Sequence, residues 1–138
     1  MTVKQVVNDK GAFYLKVDEE SKKVVELNKN PKYIFEEYYR IIQISLVDHI
    51  SFEDEERNII LEFIIDEEGL LKSGNPVFKV EIQMHGETIN FLIYGAFLIG
   101  RTYYSTEGYA FTGFYDAETV NEVLVQYQIE VFYIGKIR

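Results

Sequence analysis

The apolar residues of this chain change from the helical spacing of residues 34–42 to a period of two at the break Ser73-Gly74-Asn75-Pro76. Before the break, apolar side chains recur at the three- and four-residue spacing of an amphipathic helix. After it, they alternate with polar side chains, which is the period of a half-buried strand. The helical set comprises Ile34, Phe35, Tyr38, Ile41 and Ile42, and the alternating set comprises Phe78, Val80, Ile82 and Met84. A helical block followed by an antiparallel meander indicates an α+β fold.

The chain is expected to open with a β-hairpin and a helix. Residues 13–17 and 23–27 are short apolar-polar runs on either side of a polar segment, a pattern that predicts two paired strands. Asn30 and Pro31 then supply an N-cap and a first helical residue. The spacing that follows predicts a helix from about 31 to 48.

The next segment carries two conflicting signals. Ser51 with Asp54 three residues later resembles a capping box, and the acids after it suit the first turns of a helix. Residues 59–65 are rich in β-branched side chains, which favours a strand. Because of the acidic cap, a second helix is predicted over 52–66.

The block after the break is predicted to contain strands at 78–84, 88–94, 97–104 and 109–115, a short helix after Asp116, and a last strand at 129–134. The length of 138 residues and the 47% hydrophobic content suit a single domain over 1–138. We therefore expect an N-terminal β-hairpin and two helices packed on a mostly antiparallel sheet, followed by a short C-terminal helix and a final strand.

The composition limits the cell compartment and the kind of source organism that are expected for this chain. The chain has no cysteine, so disulfides and thiolate metal sites are excluded. Its first residues lack the apolar core of a signal peptide, and no apolar run has the roughly 20 residues of a membrane helix. A cytoplasmic location is expected. Abundant Ile, Lys, Asn, Tyr, Phe and Glu with little Ala favour an AT-rich genome, such as that of a low-GC bacterium or its phage.

The negative charge is concentrated in one segment. Residues 48–68 hold nine acids and one base, Arg57, a net charge of −8 in a chain whose total is −9. Such a local field attracts cations or a basic partner and repels nucleic acid and anionic membranes. A simpler interpretation is a solvated helix start, although nine acids exceed what capping needs, since neighbouring like charges on a helix repel.

The leading functional hypothesis is a non-catalytic acidic protein, of inhibitor or immunity type, that docks a basic protein through residues 48–68. Its carboxylates would stand in for phosphates and steer association. Tyr103 and Tyr104 would supply aromatic anchors, because Tyr is enriched in binding hot spots. The charged residues expected to contact the partner are Glu53, Asp54, Glu55, Glu56, Asp66, Glu67 and Glu68.

Two alternatives have their own sequence support. The aromatic residues of 101–115, beside Arg101, could line a pocket for an anionic or aromatic small molecule, or could simply form a cross-strand ladder. The segment 129–137 could form an edge strand that joins copies of the chain into a homo-oligomer.

Catalytic and cofactor signatures are absent from the sequence. There is no nucleophile elbow, Walker loop or dinucleotide-binding glycine motif. The two histidines, His49 and His85, are too few to indicate a transition-metal site, and the acids lack the spacing of a calcium loop. His49 is expected at a helix C-terminus and His85 in a solvated turn. No cofactor and no metal are predicted, and an enzyme is the less favoured class.

Overall fold

The computed structural model describes residues 12–27, 34–104, 110–112 and 117–138. In these ranges the chain forms nine strands, two α-helices and one 3₁₀ turn. The strands are β1 (Ala12–Val17), β2 (Lys22–Leu27), β3 (Val47–Asp54), β4 (Ile59–Asp66), β5 (Pro76–Met84), β6 (Glu87–Tyr94), β7 (Phe97–Tyr104), β8 (Ala110–Thr112) and β9 (Glu130–Lys136). The helices are α1 (Ile34–Ile42) and α2 (Ala117–Gln126), and the 3₁₀ turn spans Gly69–Leu71.

The strands form two antiparallel sheets. Sheet A has the order β2-β1-β7-β4-β3, and β8 also pairs with β7. Sheet B has the order β6-β5-β9. Thr102 of β7 pairs with Ile60 of β4 and with Thr112 of β8. Strand β8 therefore lies along the same edge of β7 that β1 occupies nearer its start.

The main core lies between the two sheets, and α2 packs against it. Phe63 of sheet A lies edge-on to Phe91 of sheet B at a centroid distance of 5.0 Å. Phe78 and Phe97 make a similar contact across the sheets at 5.4 Å. Full burial of such side chains contributes about 1.5–3 kcal/mol each. The buried set is Leu15, Val17, Leu61, Phe63, Phe78, Val80, Ile82, Met84, Ile93, Phe97, Ile99, Val120, Val123 and Tyr127.

The opposite face of sheet A forms a second, smaller core beneath α1. Its buried residues are Tyr14, Leu27, Tyr38, Ile42, Ile44, Ile64 and Leu98. Phe63 and Ile64 are neighbours in β4, point to opposite faces, and are both fully buried. The centre of sheet A is thus covered on both sides.

Most elements predicted from the sequence are confirmed. The protein is a mostly antiparallel α+β fold with two short helices among the described residues. The N-terminal hairpin is β1–β2, the period-two segment is β5, and the C-terminal helix precedes the last strand. Of the strand predicted at 109–115, residues 110–112 form β8, and the other positions lie outside the described residues.

The predicted helix at 52–66 is wrong. This segment contributes the end of β3, a turn over 55–58, and the whole of β4. Strand β4 pairs with both β3 and β7 and is buried on both faces, which is why its apolar run is nearly continuous rather than alternating. Asn58 adopts a left-handed φ of 54° that suits the turn and interrupts a helix.

The helix predicted from 31 to 48 ends early. Helix α1 stops at Ile42, because Gln43 adopts a left-handed φ of 56° and β3 begins at Val47. The predicted start at 31 lies outside the described residues. His49, expected at the end of this helix, is therefore a residue of β3.

A close approach at Gly100 provides a test of the second core. A Cβ atom built there would lie 2.5 Å from Cε2 of Tyr14, a ring that is 1% exposed and part of the second core. We expect Gly100→Ala to lower the free energy of unfolding by about 1–3 kcal/mol, as overpacking does. Urea unfolding measures the change. Exposed Ser73→Ala is the control, with an expected shift below about 0.5 kcal/mol, and an equally small shift for Gly100→Ala would contradict the packing.

Candidate partner-binding hairpin

The acidic segment 48–68 folds as the β3–β4 hairpin, and this separates its charges into two groups. Residues 53–56 lie at the turn, Asp48 and 66–68 lie at the other end, and Glu62 lies between them in β4. Strand β4 has eight residues, so its ends are about 23 Å apart at roughly 3.3 Å per residue. Eight of the nine acids of the segment therefore lie at one or the other end of the hairpin, and Glu62 is the exception.

Asp54 is inside the protein rather than on its surface. It is fully buried, and its Oδ2 accepts hydrogen bonds from the Tyr127 hydroxyl at 2.6 Å and from Arg57 Nη1 at 2.8 Å. Burial alone would raise the pKa of the Asp54 carboxyl, but these hydrogen bonds outweigh burial and lower it. Asp54 is thus an ionised internal anchor that joins the turn to the residue following α2.

Asp54 also shifts the pKa values of its two partners, Tyr127 and Arg57. Burial, followed by the hydrogen bond donated to Asp54, raises the pKa of Tyr127 to about 12. The hydrogen bond to Asp54 also raises the pKa of the Arg57 guanidinium, which lies 5.9 Å from the centre of the Tyr127 ring. The charge of Arg57 is therefore matched by Asp54.

Three carboxylates remain outside this network at the turn. Glu53, Glu55 and Glu56 are exposed. Within the described ranges, no cation forms an ion pair with any of them. Because Asp54 and Arg57 cancel, residues 53–57 present a net of three negative charges to solvent. We call Glu53, Glu55 and Glu56 the acidic turn.

The other end of the hairpin is less uniformly acidic. Asp66 is buried and forms an ion pair with Lys72, and the backbone N–H of Glu68 donates to its Oδ1 at 3.0 Å. Glu67 is exposed and Glu68 half-buried. A cleft of about 390 Å³ opens beside this end. Its polar lining residues are Asp18, Glu19, Gln43, Asp66, Lys72 and Asn75.

A pair formed by His49 and Glu62 lies in the middle of the hairpin. His49 Nδ1 of β3 lies 3.6 Å from a carboxylate oxygen of Glu62 on β4. The nearby carboxylate of Glu62 raises the pKa of His49, against the opposing effect of partial burial. The imidazole therefore binds its proton more tightly in the folded chain, so the pair stabilises the fold below the ordinary histidine pKa of about 6.5. That stability is lost as the pH rises through the raised value.

The predicted aromatic anchors are described only through their backbone. Tyr103 and Tyr104 of β7 pair with Phe111 and Ala110 of β8, and their side chains lie outside the described residues. Arg101, expected beside a pocket, is buried. Most side chains of the pocket predicted near 101–115 also lie outside the description, so their roles stay predictions.

The structure adds residues that sequence reasoning missed. Tyr127 was not among the predicted site residues, and His85 was expected in a solvated turn. Both lie beside Asp54, with His85 Nε2 3.9 Å from its Oδ1. The contact to Tyr127 joins positions 73 residues apart, and no local pattern could indicate it.

Comparison with known proteins does not assign a function to this arrangement. No protein-family model matches the chain, and comparison with curated proteins and solved structures finds no significant match. Among the described residues, no three acidic or histidine side chains are grouped so as to hold a metal ion. Neither of the two described helices has the length and apolar content needed to span a membrane.

Removal of one hydroxyl tests the anchor. Tyr127→Phe keeps the buried ring but removes the hydrogen bond that the Tyr127 hydroxyl donates to Asp54. We expect a loss of about 1.5–3 kcal/mol in the free energy of unfolding, the usual value of a hydrogen bond to a charged group. Tyr133→Phe is the matched control, since the Tyr133 hydroxyl lies 3.3 Å from Glu19 in an exposed contact. Equal effects of the two substitutions on the urea midpoint would argue against the anchor.

Proposed function

We propose that this protein is a non-catalytic binding protein that docks a basic protein partner through the acidic turn. The observation that supports the proposal is the state of the charges at the turn. The local base is matched by a buried acid, while Glu53, Glu55 and Glu56 are exposed and have no cation partner in the described structure. Unpaired like charges on a surface raise the local potential and accelerate the encounter with an opposite charge.

The support beneath the turn strengthens this proposal. Asp54 links the turn to Tyr127, and β4 is held between β3 and β7. A turn fixed in this way loses little conformational freedom on binding, so more of the charge attraction is retained as affinity. An inhibitor or immunity protein that occupies a nucleic-acid-binding surface would use carboxylates of this kind in place of phosphates. Tyr103 and Tyr104 stay the predicted anchors of such an interface.

Glu67 and Glu68 form a second proposed contact region, at the end of the hairpin opposite the acidic turn. Glu67 and Glu68 lie about 23 Å from the turn along β4. Asp54 and Asp66, although included in the predicted binding set, are buried and already paired. The exposed members are therefore the ones proposed to contact the partner.

Charge removal at the turn is the experiment that tests docking. The partner is first isolated by affinity capture from lysate of a bacterial host at about 50 mM salt and identified by mass spectrometry, with release expected at about 500 mM because salt screens exposed charge. The association rate is then measured for the purified pair. We expect Glu53→Gln/Glu55→Gln/Glu56→Gln to lower this rate at low salt by roughly tenfold.

A second triple variant distinguishes the effect of charge at the turn on the association rate from the effect of the net charge of the protein. Glu26→Gln/Glu36→Gln/Glu122→Gln removes the same number of charges from exposed positions on β2, α1 and α2. It should change the association rate by less than about threefold. Equal slowing by both variants would mean that net charge alone drives capture, and an unchanged rate for the turn variant would refute docking through the turn.

The cleft beside Asp66 supports a second candidate function, binding of a small polar molecule. Its volume of about 390 Å³ falls in the range of small-molecule sites, roughly 300–1,000 Å³. Carboxylates of Asp18 and Glu19 and the ammonium of Lys72 offer both signs of charge.

Thermal-shift measurements against a metabolite library test this candidate. A ligand that binds the cleft should raise the melting temperature of the native chain by mass action, and Lys72→Met should abolish the rise. A library without any stabilising compound at millimolar concentration would remove this candidate.

A further inference from the structure

Strand β9 leaves one edge of sheet B open in the part of the chain that the structure describes. It is the last strand in the order β6-β5-β9, and β5 is its strand partner there. The outer edge of such a strand carries backbone N–H and C=O groups that are available to a further strand. The edge formed by β9 is therefore a surface to which an extended segment can be added.

Three consecutive apolar side chains of β9 are exposed to solvent. Phe132, Tyr133 and Ile134 keep 41%, 46% and 55% of their surface accessible. Leu92 of β6 is also exposed and lies in the same cross-strand row as Phe132, because Lys79 of β5 pairs with both residues. A group of exposed apolar side chains with charged neighbours is typical of a protein interaction surface.

The charges at the two ends of β9 complement each other when the strand is paired with itself. Glu130 begins the strand and Lys136 ends it, each three residues from Tyr133. In an antiparallel pair of two copies, with a two-fold axis at Tyr133, each Glu130 lies opposite Lys136 of the other copy. The same register places Phe132 opposite Ile134. A two-fold contact requires this property, because both copies use the same patch.

The β1–β2 turn lies beside this edge and contacts it through the ends of long side chains. Lys22 Nζ donates to the backbone oxygen of Val131 at 3.1 Å, and Glu19 forms an ion pair with Lys136 at 3.0 Å. A groove of about 340 Å³ is lined by the turn and by Val131 and Tyr133. Because exposed contacts of this kind are weak, both can be exchanged for contacts to another chain. The first also shows that the Val131 carbonyl accepts a donor from outside sheet B.

We propose that β9 pairs antiparallel with β9 of a second copy of this chain. The pairing joins two three-stranded sheets into one sheet of six strands. Backbone hydrogen bonds and the apolar side chains supply the attraction, and the Glu130–Lys136 pairs at both ends fix the register. A contact through one strand is small, so the association is weak and reversible. It is independent of the proposed docking, since the acidic turn belongs to sheet A.

Sedimentation equilibrium of the native chain measures the self-association. The average mass should rise from the monomer value of 16.2 kDa toward twice that value between about 10 µM and about 1 mM, as expected for a small interface. A monomer mass over the whole range would overturn the proposal.

Reversal of the end charges tests the register. Glu130→Lys produces a strand with two positive ends, and Lys136→Glu produces one with two negative ends. Each variant should associate with itself about tenfold more weakly than the native chain, because two attractive cross-strand pairs become repulsive. An equimolar mixture of the two variants should regain the native association constant within about threefold, since opposite charges then meet at both ends.

The mixture also separates loss of pairing from loss of folding, because an unfolded variant could not recover association on mixing. A mixture that stayed monomeric, or single variants that associated like the native chain, would refute the proposed register.

Lys22→Met provides a test with the opposite sign. It removes the donor that occupies the Val131 carbonyl, so the association constant should rise by about two- to fivefold. Lys23→Met is the matched control, since it removes the same charge from the next exposed position of β2 and should leave the constant unchanged. Equal constants for the two variants would place the contact away from the β9 edge.

Discussion

The position of β4 in the middle of sheet A is the constraint on which the acidic segment depends. β4 has a hydrogen-bonded neighbour on each edge and an apolar layer on each face. A strand in this position has to be apolar at almost every residue, and its charged residues are excluded toward its ends. Glu62, half-buried and paired with His49, is the exception within the strand. The same burial that forms the core therefore divides the acids between the turn and the far end.

Because Asp54 is buried and paired, the formal charge of segment 48–68 differs from the charge that the segment exposes to solvent. A carboxylate inside a protein is stable only when donors satisfy it, and removing one partner of such a pair is strongly destabilising. Arg57 and Tyr127 act as those donors, so the single base of the segment is used for structure and not for neutralising the surface. The exposed field at the turn consequently comes from Glu53, Glu55 and Glu56.

The limits of prediction from sequence follow from the range of the interactions involved. Strands such as β5 and the amphipathic α2 were predictable, since their apolar periods report one buried face each. For 59–65 the period carries no information, because a strand buried on both faces and a buried helix both read as continuous apolar runs. Asp54 strengthened the wrong interpretation, since a short acid after Ser51 resembles a cap. The exposed acids of the site were found from charge alone, whereas Tyr127 and His85 reach it only through tertiary packing.

Two turns of the chain and the end of α2 meet at Asp54, and their contacts hold the acidic turn in place. The β3–β4 turn supplies Arg57, the end of α2 supplies Tyr127, and the β5–β6 turn places His85 alongside. An isolated hairpin tip would fray, since tips have few buried contacts. Here the tip is tied to sheet B and to α2 by polar contacts to one buried group. The position of the tip, and with it the geometry of the three exposed carboxylates, thus depends on the ionisation of that group.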